Sequence, residues 1–158
     1  MSAHDSSHVD DPAAVELWGR VIRGFQVTNR RLQADLKDRF DLSEAEAETL
    51  LSLFRCPERR ARHNSLAKGA GFTTGGFTKI ADKLSQRGLT ERAACESDRR
   101  ASYLQLTEAG AELASALTQA AAQANRDHFI DVLGVERAQL VSDAMAALYR
   151  ANFDTGSK

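Results

Sequence analysis

One apolar stripe at the start of the chain limits the architecture more than any other feature. Behind the acidic pair Asp10-Asp11 and Pro12, apolar side chains recur at Trp18, Val21, Ile22, Phe25, Leu32, Leu36 and Phe40. That spacing lines them along one side of a single helix of about eight turns. Pro12 fits a first helical turn, where its missing N–H costs nothing, and the two aspartates suit the positive end of the helix dipole. A chain of 158 residues builds one domain, or one domain and an arm. So small a domain seldom covers so long a stripe. The helix is expected to pack against a partner chain.

The pattern then shortens. Ser43 and Glu46 have capping-box spacing, with Leu42 as the staple before them and Ala47, Leu50, Leu51 and Phe54 as the inner face of a second helix. That helix should end before Cys56-Pro57, because the residue before proline is pushed out of the helical region. A basic connector, Arg59 to His63, follows and can form a small strand. Asn64 or Ser65 can cap a short helix carrying Leu66 and Ala67, which Gly69-Ala70-Gly71 breaks. Thr73 or Thr74 can cap the next, with Phe77, Ile80, Ala81 and Leu84 on one face and Gly88 just past its end. Helix, glycine turn, helix is the helix-turn-helix outline. Two short alternating segments, 89–93 and 101–106, flank the polar turn 94–100 and read as a β-hairpin. Thr107 can cap a further helix with Ala109, Leu113, Ala116, Leu117, Ala120 and Ala124 inward. Gly134 separates it from a last one striped by Leu140, Val141, Ala144, Met145 and Leu148.

Charge is unevenly placed. The chain carries a net −1, yet Arg55 to Gln105 holds eleven Lys or Arg against five Asp or Glu, a net of +6, and the flanks carry ten against seventeen. A basic centre between acidic ends is the footprint of a polyanion binder with solvating flanks. The helix-turn-helix and hairpin lie inside that centre. Together they make a winged helix, which can lay its second helix in a major groove and its hairpin tip in the adjacent minor groove.

The stretch from Ser65-Leu-Ala through Phe72-Thr-Thr-Gly-Gly-Phe-Thr-Lys-Ile-Ala-Asp-Lys-Leu-Ser-Gln-Arg-Gly-Leu89 resembles the MarR family of transcriptional regulators. Glu91-Arg92, Asp98-Arg99-Arg100 and Leu106-Thr-Glu-Ala-Gly110 extend the likeness. The match runs through about 45 residues of the middle, and the helical flanks carry it over most of the chain. The resemblance implies a homodimer of winged-helix subunits on a pseudo-palindromic double-stranded DNA operator. The first and last helices would form its interface, with Trp18, Phe25, Phe129, Met145, Leu148, Tyr149 and Phe153 as interface or core residues. Carried over by position, it directs Thr73, Thr74, Gly75, Gly76, Thr78 and Lys79 toward DNA. It makes Arg100, beside Arg99 and oriented by Asp98, the residue entering the minor groove. Ser65, Lys68, Lys83 and Arg62 would meet phosphates. Gly75 and Gly76 stand where side-chain donors are usual. Two glycines in a first turn cost roughly 1 kcal/mol each against alanine, and their return is a closer approach of backbone to the groove. The resemblance further implies a small aromatic or phenolic effector between arm and winged helix, for which Trp18, Arg20 and Arg23 are candidates, although Trp18 suits the core better.

Other chemistry finds little footing. Gly69-x-Gly71-x-x-x-Gly75 misses the dinucleotide spacing by one residue and follows a helix rather than a strand. His4 and His8 lie in the tail, and His63 and His128 stand alone, so no metal ligands or cofactor are expected. No nucleophile sits in a catalytic motif, and no enzyme is expected. Cys56 and Cys95 make no disulfide framework. Cys95 beside Arg92, Arg99 and Arg100 keeps a redox-sensing regulator as an alternative. A winged helix used only for protein contacts is the other. No apolar run approaches the ~20 residues a membrane helix needs, and the polar N-terminus lacks a secretory pattern, so a cytoplasmic protein is expected. The expected fold is mainly α with a small β-hairpin wing, a winged helix-turn-helix with helical dimerisation arms. It divides into a disordered tail (1–11), a dimerisation helix (12–41), the DNA-binding domain (42–106), C-terminal dimerisation helices (107–153) and a tail (154–158).

Overall fold

The computed structural model describes residues 9–70, 73–94 and 102–153. The first helix, α1, spans Asp11–Phe40; Asp10 caps it, accepting the Ala13 N–H at 2.9 Å. Asp10 and Asp11 therefore belong to the helix start rather than to a tail, and residues 1–8 and 154–158 lie outside the described residues. At its other end Asp41 takes the left-handed conformation (φ 49°) and returns its N–H to Lys37 O. Helix α2, Glu44–Arg55, opens on the full capping box, Ser43 with Glu46, and stops before Pro57. A turn, Pro57–Arg59, leads into strand β1, Arg60–Arg62. Helices α3, His63–Gly69, and α4, Thr74–Gln86, follow, then strands β2, Thr90–Ala94, and β3, Ser102–Leu106. The sheet is antiparallel in the order β1-β3-β2, with Ala61 and Arg92 opposite Leu104.

The expected cap at Asn64 or Ser65 is not used. Helix α3 begins at His63 with Arg62 as its cap residue and no side-chain cap bond. Arg62 is paired with Tyr103 in the sheet, so the chain passes straight from strand into helix. For α4 the cap is Thr73, whose hydroxyl accepts the Gly76 N–H at 3.1 Å.

The core lies where α2, α4, the sheet and the helix that follows it meet. Phe77, Leu50, Leu53, Leu84, Leu104 and Leu117 are all fully enclosed there, each contributing roughly 2 kcal/mol of burial. Helix α5, Glu108–Asn125, carries Ala111, Ala114, Leu117, Ala120 and Ala124 inward. Ala109 and Ala116, expected inward, are exposed, because the helix is rotated to bring Gly110 against Leu89. The Thr107 hydroxyl accepts the Gly110 N–H at 3.0 Å and donates to Gly88 O at 2.7 Å. Gly88 turns the chain with φ +70°, a conformation that side chains disfavour.

Beyond α5 the helix loosens into a π-helical stretch, Arg126–Ile130, a short helix α6, Asp131–Leu133, and the last helix α7, Val135–Phe153. Both arms leave their apolar faces bare. Trp18 is 55% and Phe25 66% exposed on α1, and Leu140 is 69% exposed on α7; Met145, Leu148 and Tyr149 are exposed as well. Only Leu36 on α1 and Ala138 on α7 are buried. Among the described residues no helix is long and apolar enough to cross a membrane.

Candidate nucleic-acid interface

Helix α4 has two opposed faces. Phe77, Ala81 and Leu84 enter the core, while Gly75 and Lys79 are exposed and Gly76 and Thr78 half-buried. Its N-terminus carries the partial positive charge that suits a phosphate, with the exposed Thr73, which caps the Gly76 N–H, at the tip. Thr74 is the first residue of the helix. A Cβ on Gly75 would meet nothing within 4 Å, so this surface is backbone open to approach.

Neighbouring elements hold α4 in place. Thr78 Oγ1 lies 3.2 Å from His63 Nε2 on α3, and the His63 ring stands edge-on to Phe77, 4.9 Å between centroids. Thr78 thus braces the two helices as well as lying on the outer side. On the other flank Asp82 pairs with Arg92 of β2 at 2.8 Å, and Ser85 lies 3.1 Å from Thr90. These contacts join the base of the hairpin to the helix. The sequence displays Asp82, Arg92 and His63 without revealing these partners.

A basic surface adjoins the helix. Ser65 and Lys68 are exposed on α3, with the Lys68 ammonium 4.8 Å from the Phe153 ring centroid. Arg60 and Arg62 flank Tyr103 at 5.5 and 5.9 Å from its ring centroid, and Arg62 Nε donates to the Tyr103 hydroxyl at 3.4 Å. Lys83 is exposed but turns toward the cleft between α1 and α4. The wing residues Asp98, Arg99 and Arg100, and Cys95 with them, lie outside the described residues. Cys56 is a free, half-buried thiol.

The cleft encloses about 1170 Å³ and is walled by Phe25, Asn29 and Gln33 of α1 and by Lys83, Gln86 and Arg87. Trp18, Arg20 and Arg23 are not on its walls; both arginines pair with Glu16 on the exposed side of α1, at 2.9 and 3.4 Å. At its floor Glu46 is nearly enclosed. Burial pushes its carboxyl up, but the hydroxyl and backbone N–H of Ser43, then the charges of Lys83 and Arg87, outweigh this and bring it below its usual value. Among the described residues no group of His, Cys, Asp and Glu could hold a metal ion.

Two helices four residues apart in the chain, the second braced against a three-stranded antiparallel sheet, define a winged helix-turn-helix. No protein-family profile matches the chain. Its fold is that of MarR-family transcriptional regulators across most of its length. AbsC, a MarR-family regulator from Streptomyces coelicolor, is 24% identical over 92% of this chain and 97% of its own, with a TM-score of 0.80. Sco3205, another from that organism and solved in complex with DNA, is 22% identical over 91% of this chain and 90% of its own, TM-score 0.80. A MarR variant from E. coli complexed with operator DNA is 25% identical over 89% of this chain and 99% of its own, TM-score 0.70.

Proposed function

We propose that the chain is a sequence-specific, double-stranded-DNA-binding transcriptional regulator, a cytoplasmic homodimeric repressor released by a small effector. The observation that carries this is the exposed N-terminal face of α4, with Gly75 and Lys79 open to approach beside the cations of β1 and α3. Thr73, Thr74, Gly75, Gly76, Thr78 and Lys79 would face the major groove, while Ser65, Lys68 and Arg62 meet phosphates; Lys83 faces the cleft instead. Arg100, with Arg99 and Asp98, would serve the minor groove. Three of the similar structures were solved on DNA. The bare apolar faces of α1 and α7 support pairing with a second copy. The cleft between α1 and α4, with Lys83 and Arg87 on its walls, suits a small aromatic or phenolic acid better than Trp18, Arg20 and Arg23 do.

The test is selection of bound fragments from random duplex DNA, followed by binding to the selected duplex at several salt concentrations. About three phosphate contacts per subunit give roughly six per dimer, a slope of log K against log salt near −5 and about a 10³-fold loss between 50 and 200 mM. No selected sequence and no binding at low salt would overturn the reading in favour of a module for protein contacts.

A further inference from the structure

We infer that Arg87 is a positioning residue, the joint that sets the angle between recognition helix and dimer arm and so the half-site spacing the dimer accepts. This rests on the DNA-binding reading above.

Three helix ends converge on this side chain. Arg87 is the C-terminal cap residue of α4. Its Nη1 donates to the carbonyl of Asp41 at 3.0 Å, and Asp41 is the left-handed cap that closes α1. The same nitrogen stands 3.7 Å from Glu46 Oε1, in the first turn of α2. Glu46 cannot swing away, since its other oxygen accepts from the Ser43 N–H at 2.9 Å and the Ser43 hydroxyl at 2.6 Å. Further up, α1 and α4 face each other across the open cleft. The joint is thus a localised, charge-assisted link between the arm and the far end of the reading helix.

Leverage makes this position consequential. Helix α4 has 13 residues, so its DNA-facing end lies about 18 Å from Arg87 at 1.5 Å per residue. A tilt of about 10° at the joint displaces that end by roughly 3 Å, close to the 3.4 Å rise of one base pair. The Asp82–Arg92 pair carries the base of the wing along with the helix. In a symmetric dimer the error occurs twice, once in each half-site.

The experiment measures affinity of the full-length dimer for the selected duplex and for versions with the half-sites one or two base pairs closer or farther apart. The wild type should lose about tenfold or more for each one-base-pair change. Arg87→Ala should flatten this profile to within about threefold while light scattering still gives a dimer. Arg87→Lys, which keeps a donor for the Asp41 carbonyl, should restore most of the preference. Glu46→Gln, a milder change that keeps the side-chain shape, should broaden the profile in the same direction and serves if Arg87→Ala does not fold. A folded Arg87→Ala, or in its place a folded Glu46→Gln, with the wild-type spacing profile overturns the joint. Failure of the wild type to bind any duplex overturns the DNA-binding reading itself.

Discussion

Gly110→Ala is expected to destabilise the protein by about 3 kcal/mol or more, although alanine is ordinarily the better helix former by about 1 kcal/mol. A Cβ at this position would stand 1.8 Å from the Leu89 carbonyl oxygen and 2.8 Å from its carbon. Both are backbone atoms, so no side-chain rotation relieves the overlap. The carbonyl is itself engaged, accepting the Thr107 N–H at 3.1 Å. Thr107 in turn holds Gly88 and caps α5. The clash would therefore pry the start of α5 from the strand leading into the wing, at the edge of the core. For a chain of this size the melting temperature should fall by about 10 °C, read by circular dichroism at matched protein concentration because a dimer's stability depends on it. An unchanged melt would show that α5 does not pack so closely on Leu89.

Gly75→Glu should act in the opposite sense. The site is exposed, a Cβ there meets nothing, and a carboxylate in a first helical turn complements the helix dipole. Stability should hold or rise, by up to about 1 kcal/mol from the loss of glycine. DNA binding should fall by 100-fold or more, because the carboxylate meets phosphates where bare backbone came close. Fluorescence anisotropy with the selected duplex, beside light scattering and a thermal melt, separates the two effects. Near-wild-type affinity would remove the N-terminus of α4 from the groove.

The sequence displays most of the scaffold, because the scaffold is marked by local chemistry. Ser43 and Glu46 three residues apart, Thr107 ahead of an alanine-rich helix, and glycine after Arg87 each act through neighbours a turn away, and each is realised. The joint is not legible in this way. Arg87 meets Asp41 across 46 residues of chain, and the His63 to Thr78 contact spans 15. Neither separation leaves a periodic trace. Glu46 reads as one half of a capping box, and only the packed structure shows that the same carboxylate faces an arginine from α4. On α5 the many alanines blur the register, since small side chains fit either side of a helix, and contact of Gly110 with Leu89 decides which side turns inward. The bare stripes on α1 and α7 are the reverse case: apolar spacing announces them, and the single chain leaves them without a cover.

The central claim is that two copies of α4 enter successive major grooves on one face of a duplex. Hydroxyl-radical footprinting of the wild-type protein on the selected duplex tests it most directly. The account predicts two equal protected patches centred about 10 base pairs apart, with weaker protection at the outer minor grooves. A single patch, or uniform protection without a helical repeat, would contradict it.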